Sequence, residues 1–252
     1  MRAPLPPARE PVRAPHPILS SYYGTPDARR EYIARAFDAA GGDYDRVDRL
    51  LAFGSGAWYR RQALLRAGLA PGMRMLDVAV GTGLVAKEAV RILGDPRAVV
   101  GIDPSAGMMG ALGPAGLALV RGRAEALPFG AREFDFLSLG FALRHLDDLA
   151  ATLREFRRVL KPGGRLLLLE ITRPEGAVAA ACLRGYMRGV VPWLARLTAR
   201  DPGTPELYRY YWDTIEACAP PARVLATLEA AGFGGADRYV QLGIFSEFRA
   251  TA

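Results

Sequence analysis

The sequence predicts an α/β fold in which a mostly parallel sheet carries helices on both faces, and three observations point there. An apolar run, Met73-Arg74-Met75-Leu76, stops at Asp77 and gives way to small residues at alternate positions, Ala79, Gly81 and Gly83, before helix formers resume at Leu84. From Met73 onward, short strand-like runs alternate with helical ones, the pattern of a parallel sheet covered on both sides. A second apolar run, Ala98 to Ile102, ends in Asp103, an acid 20 residues beyond Gly83. In a doubly wound sheet, an acid at that point can accept hydrogen bonds from both hydroxyls of a ribose.

The loop after Asp77 lets a ligand approach the backbone closely, and the helix behind it offers unpaired N–H groups. The spacing is Gly-x-Gly, without the third glycine of a dinucleotide loop. A pyrophosphate would be repelled by the carboxylate of Asp77, whereas the ammonium of a methionine moiety would be attracted. S-adenosylmethionine therefore fits this stretch better than a nicotinamide cofactor.

The chain has 252 residues, half of them hydrophobic, enough for one globular domain with attached elements. No apolar run reaches membrane-spanning length, and the N-terminus lacks a signal-peptide core. Cys182 and Cys218, the two cysteines, give neither a disulfide framework nor metal spacing, so no metal is expected and a reducing cytoplasm is the expected compartment. The formal net charge is +7, but nearly all cations are scattered arginines, with Lys87 and Lys161 the only lysines. That distribution suits solvated faces and argues against a nucleic-acid partner, while leaving peripheral contact with an anionic membrane and a homodimer as expectations.

In chain order, residues 1–17, with six prolines and three arginines, read as a disordered tail. Residues 18–70 read as a helical cap, with helices over Glu31–Ala39 and Tyr44–Ala52 parted by Gly41-Gly42, and a third over Ala57–Ala67. Residues 71–252 read as the ligand-binding domain. Its strands are expected over Met73–Asp77, Ala98–Asp103, Leu117–Val120, Phe134–Leu139 and Arg165–Thr172, the last following the turn Lys161-Pro162-Gly163-Gly164. Helices are expected over Leu84–Leu93, Pro104–Leu112, Asp148–Leu160 and Pro221–Ala231. An aromatic-rich helical lid is expected at about 176–218, and a closing hairpin over Ala236–Leu242 and Gly243–Ala250.

These residues resemble the class I methyltransferases of ubiquinone and menaquinone biosynthesis (UbiE-type), which C-methylate a prenylated quinol ring. The likeness covers about residues 30–250: Phe37, Tyr44-Asp45, Leu50, Phe53-Gly54 and Arg61 before the sheet, then Leu76-Asp77-Val78-Ala79 with Gly81-Thr82-Gly83. It continues through Ala124-Glu125-Ala126-Leu127-Pro128-Phe129, Phe141-Ala142-Leu143-Arg144, Val159 to Gly164, Tyr208 to Ile215 and Ala230 to Phe233. The resemblance implies a Rossmann-like seven-stranded sheet with an antiparallel strand from the last hairpin. It also implies a cofactor site drawn from Tyr44, Asp77, Ala79, Gly81, Thr82, Gly83, Asp103, Pro104, Met108, Arg123, Ala124, Glu125 and Gly140. Thr82 and the glycines would contact the methionine part, Asp103 the ribose, Arg123-Ala124 the adenine, and Gly140 the sulfonium. S-adenosylhomocysteine would be the product.

Four positions depart from the family pattern: Arg123 stands for a small polar or acidic residue, Gly140 for Ser, Asp48 for Asn, and Arg144-His145 for Arg-Asn. Two readings stay open at several of these sites. His145 is either a base for a phenolic proton or a surface residue opening a helix capped by Asp147 or Asp148. Arg144 either stabilises a developing phenolate or forms a surface ion pair. Glu125 either meets the ligand or holds its loop, and Tyr44 lines the site or fills the core.

The acceptor expected is a small hydrophobic aromatic or polyketide-like molecule. Ring C-methylation of a quinol leads, with Arg144 and His145 as catalytic residues. The alternatives are an O-, N- or C-methyltransferase of a specialised metabolite, and a protein that binds the cofactor without transferring methyl.

Overall fold

A computed structural model describes residues 13–51, 54–113, 116–198 and 203–252. Most of the expected tail, Ala52 and Phe53 of the segment before the sheet, and residues 199–202 of the lid lie outside the described residues.

Two helices, α1 (Pro26–Leu51) and α2 (Gly56–Arg66), precede the sheet. Then come β1 (Met75–Val78), α3 (Leu84–Leu93), β2 (Val99–Asp103), α4 (Ala106–Leu112), β3 (Ala118–Arg121), β4 (Phe134–Gly140), α5 (Leu149–Val159) and β5 (Leu160–Ile171). The lid region holds α6 (Ala177–Gly185), a single π-helical turn (Tyr186–Val190), α7 (Val191–Thr198) and α8 (Thr204–Ala217). Helix α9 (Pro221–Ala230) and the hairpin β6 (Gly234–Gln241) and β7 (Phe245–Thr251) close the chain.

The seven strands lie in the order β3-β2-β1-β4-β5-β7-β6, and β7 runs antiparallel to both its neighbours. Leu76 pairs with Val100 on one side and Leu137 on the other, so the order reverses between β1 and β4. A crevice opens at such a reversal, at the carboxyl ends of the strands. The period-two alternation of side chains splits the core. Leu166 and Leu168 face α5 and α9 through Leu153, Phe156, Val224 and Leu228. Leu167 and Leu169 face α2 and α3 through Leu64, Val85 and Ala86. A third apolar cluster joins α1 to the lid, with Tyr23, Met187, Val191, Tyr210 and Trp212 buried in it.

Three expectations need correction. First, α1 runs unbroken through Gly41-Gly42. Gly41 serves close packing: a Cβ there would sit 2.6 Å from the Gly107 carbonyl oxygen, and a Cβ on Gly107 would sit 2.4 Å from that of Asp38. The pair lets α1 cross α4 at backbone contact distance, and the Asp38 carboxylate accepts from Gly107 N at 3.0 Å.

Second, the far end of the predicted tail is ordered against the body. Leu149 N donates to Arg13 O at 2.8 Å, Ala219 N donates to Pro15 O at 2.7 Å, and His16 is only 4% exposed. Third, Lys161 to Gly164 form a bulge within β5, because Phe134 pairs with Leu160 while Phe136 pairs with Arg165.

Candidate active site

A cleft of about 220 Å³ lies over the carboxyl ends of β1, β2 and β4, with α1 as its roof. Its floor is left-handed backbone: Ala79 holds φ 54°, Gly81 φ 54° and Phe141 φ 59°. Left-handed geometry is unusual for the alanine and the phenylalanine and marks sites that the surrounding structure over-determines. Asp103 is what holds the first loop down. Its Oδ2 accepts from Gly81 N at 2.9 Å and its Oδ1 from Ser105 N at 2.8 Å, and both oxygens retain lone pairs. Burial raises its pKa.

Asp77 is the unusual group. Oδ1 accepts from Ser138 Oγ at 2.5 Å, while Oδ2 is buried with no hydrogen-bond partner among the described residues. Burial pushes this carboxyl up to about 7, against the Ser138 hydrogen bond that lowers it. The hydroxyl of Thr82 is likewise buried on the same cleft without a partner among the described residues. An orphaned carboxylate oxygen and an orphaned hydroxyl beside a bare-backbone loop fit an ammonium-bearing adenosyl ligand.

Of the predicted cofactor residues, twelve border this cleft: Tyr44, Asp77, Ala79, Gly81, Thr82, Asp103, Pro104, Met108, Arg123, Ala124, Glu125 and Gly140. Gly83 does not. It stands at φ 79° just before α3, and a Cβ there would meet Leu112 Cδ1 at 2.5 Å, so its bareness serves packing. At Gly140 a Cβ would meet Val85 Cγ2 at 2.8 Å.

At the Arg123 end of the cleft, the decisive contacts join residues far apart in the chain. Arg123 pairs with Asp147 and, at 3.4 Å, with Glu125, while Glu125 Oε1 accepts from Asp147 N at 2.9 Å. Glu125 therefore holds its loop as well as lining the cleft. Asp147 was seen only as a helix cap, yet it gathers Arg29 at 3.0 Å, Arg30 at 3.4 Å and Arg123, tying α1 to the loops after β3 and β4. Asp148 is the cap, accepting from Ala151 N at 2.8 Å. No local periodicity discloses Asp147, whose arginine partners lie 24, 117 and 118 positions away.

The two predicted catalytic residues part company. His145 lines the cleft, and among the described residues neither ring nitrogen has a partner, though both are shielded from water. Its ring stacks on Tyr210 at 5.7 Å and meets Phe37 edge-on at 5.1 Å. Burial, and then the charges of Arg144, Arg29 and His16, hold its pKa well below the usual value, so it is a neutral imidazole.

Arg144 is not part of the cleft wall. It is 3% exposed, donates to Phe141 O at 2.9 Å, pairs with the buried Glu170 and lies 5.0 Å from the centre of the Tyr211 ring. The expected direct contact with a phenolate is corrected accordingly. Its charge is neutralised behind the wall, where the surface ion pair weighed for it is also excluded.

The structure's neighbours share the fold. A SAM-dependent methyltransferase from Thermotoga maritima superposes with a TM-score of 0.61 at 20% identity, over 86% of this chain and 98% of that one. Another from Aquifex aeolicus gives 0.58 at 19% identity, over 82% and 97%. Together with a methyltransferase family match over most of the chain, the fold defines a class I methyltransferase dependent on S-adenosylmethionine. Residues 25–247 match the model of the ubiE/COQ5 methyltransferase family, and the chain belongs to that family.

Among its relatives, the ubiquinone/menaquinone biosynthesis C-methyltransferase UbiE of Hahella chejuensis is 32% identical over 81% of this chain and 84% of that protein. The demethylmenaquinone methyltransferase of Corynebacterium kroppenstedtii is 34% identical over 80% and 85%. These relatives do not favour the specialised-metabolite or non-transferring readings.

Proposed function

We propose that this enzyme methylates a ring carbon of a quinol-like aromatic acceptor, with S-adenosylhomocysteine as the second product. The observation that carries the reading is the neutral, unpartnered imidazole of His145, framed by Phe37 and Tyr210 on the same cleft as Asp77. The names of the relatives from Hahella and Corynebacterium supply the substrate class.

When bound, S-adenosylmethionine supplies a methyl group on a sulfonium, made electrophilic by that charge. Asp77 and Thr82 would seat its amino-acid end, Asp103 its ribose, and the segment from Arg123 to Glu125 its adenine. The aromatic wall excludes water and would hold the acceptor ring with the π face of its reacting carbon toward the donor methyl. His145 takes the phenolic proton at whichever ring nitrogen carries no hydrogen, and the freed oxygen pair conjugates into the ring and enriches the ortho carbon. That carbon gains the methyl as the carbon–sulfur bond breaks; its own proton then leaves to solvent water, and His145 returns the phenolic proton to the oxygen, which restores the aromatic quinol and the neutral imidazole. Alignment carries most of the rate.

Among the described residues, no helix is long and apolar enough to cross a membrane. The proposed location is the cytoplasm, which suits a soluble methyl donor and bacterial relatives.

Incubating the full chain with S-adenosylmethionine and a reduced demethylated naphthoquinol carrying a short prenyl chain tests the reading. The expected product gains one methyl on carbon, with equimolar S-adenosylhomocysteine. O-methylation, or no S-adenosylhomocysteine above background, would overturn it.

A further inference from the structure

The helical run from Ala177 to Thr198, about 30 Å long at the α-helical rise, is apolar on both faces. One face is accounted for: Met187, Val191 and Ala195 are buried against Leu207, Tyr211 and Trp212 of α8. The other is bare. Val178 is 79% exposed, Trp193 58% and Leu197 66%, with Val190 between them. A helix this apolar on its solvent side marks an interaction surface.

We infer that the outer face of α6 and α7, from Val178 through Trp193 to Leu197, docks on an anionic lipid surface. Charge complementarity selects this occupant over another protein surface. From Gly176 to Thr198 the sequence has no acidic residue but three arginines, Arg184, Arg188 and Arg196. Arg184 pairs with Glu216 and Arg188 lies 3.8 Å from Asp213, both acids of α8, while the guanidiniums stay half exposed. A tryptophan and aliphatic side chains edged by arginine are the composition of a helix lying in the lipid interface, and the chain's net charge of +7 adds long-range attraction.

The placement has a consequence for the proposed reaction, on which this part of the inference rests. Helix α8 is packed between the exposed stripe and the site, since its Tyr210 and Tyr211 contact the His145 ring. Docking would bring the aromatic wall beside the layer in which an apolar acceptor partitions.

The full chain is sedimented with vesicles of phosphatidylcholine alone and of phosphatidylcholine with phosphatidylglycerol. Wild type is expected to pellet with the mixed vesicles, less so at high salt, and Trp193→Glu/Leu197→Glu to lower that binding at least tenfold with an unchanged melting temperature. Arg196→Glu should weaken binding to anionic vesicles only. Wild type remaining in the supernatant, or equal binding by the double variant, would overturn the inference. So would a dimer by light scattering that the double variant splits, since the stripe would then be covered by a second copy. Methyl transfer to a water-soluble quinol, measured on the same samples, reports on the proposed function separately: docking without transfer sinks that reading and leaves the surface standing.

Discussion

Arg29 of α1 grips the backbone on both sides of His145. Its Nη2 donates to the carbonyl oxygens of Arg144 at 3.0 Å and Leu146 at 3.1 Å, and its Nη1 donates to Asp147 Oδ1 at 3.0 Å. The imidazole proposed as base is thus aimed by a helix that lies outside the sheet. Lysine keeps the charge but cannot reproduce a planar fork. Arg29→Lys is expected to lower kcat about 10- to 100-fold, as small misplacements at a reacting centre do, with little change in KM. Steady-state kinetics at saturating S-adenosylmethionine decide it, and a change confined to KM would refute the positioning role.

His145 gives a pH signature. Its folded pKa is lowered below the ordinary 6.5 by burial first, so in the window below 6.5 the unfolded chain binds a proton that the folded chain refuses. Stability is therefore fully present above 6.5 and declines as pH falls through and below it. His145→Phe should flatten this acid limb in thermal melts and cut kcat by about 10²- to 10⁴-fold, the range for loss of a general base.

Asp77 runs with the opposite sign. Its folded pKa of about 7 lies above the unfolded value of 3.8, so the ligand-free protein is favoured below 3.8 and loses that contribution as pH rises through about 7. Only the ionised form attracts an ammonium. Calorimetry with S-adenosylhomocysteine should show affinity falling about tenfold per pH unit below 7. Asp77→Asn should bind weakly at every pH, yet melt at higher temperature than wild type at pH 8 when free of ligand.

Arg144 and Glu170 form a buried pair, and removing one partner strands the other charge. Arg144→Met is expected to cost about 3–5 kcal/mol of stability, and Arg144→Met/Glu170→Met to recover most of it. If the double variant is stable and also turns over at more than about a tenth of the wild-type rate, Arg144 contributes through packing rather than through charge at the ring. Loss of turnover in a stable double variant would restore the guanidinium to the chemistry.

How much of this was legible in sequence depends on how local the cause is. The loop Asp77 to Gly83, the acid ending β2 and the Pro-to-Gly limits of α9 are set by backbone preferences within a few residues, and they could be read directly. Gly41-Gly42 misled, because a glycine pair looks the same whether it breaks a helix or admits a neighbour. Only the crossing of α1 over α4 shows that Gly41 does the second.

By itself, then, the sequence determined the alternating strands and helices of a mostly parallel sheet and a loop of small residues after its first strand, because hydrophobic period and glycine spacing are properties of consecutive positions. Tertiary structure alone decided that Arg144 turns inward to Glu170 while His145 is left without a partner, and that Asp147 gathers arginines from two distant segments. Those outcomes depend on which charges are desolvated together, and desolvation is settled by segments packed from far apart in the chain.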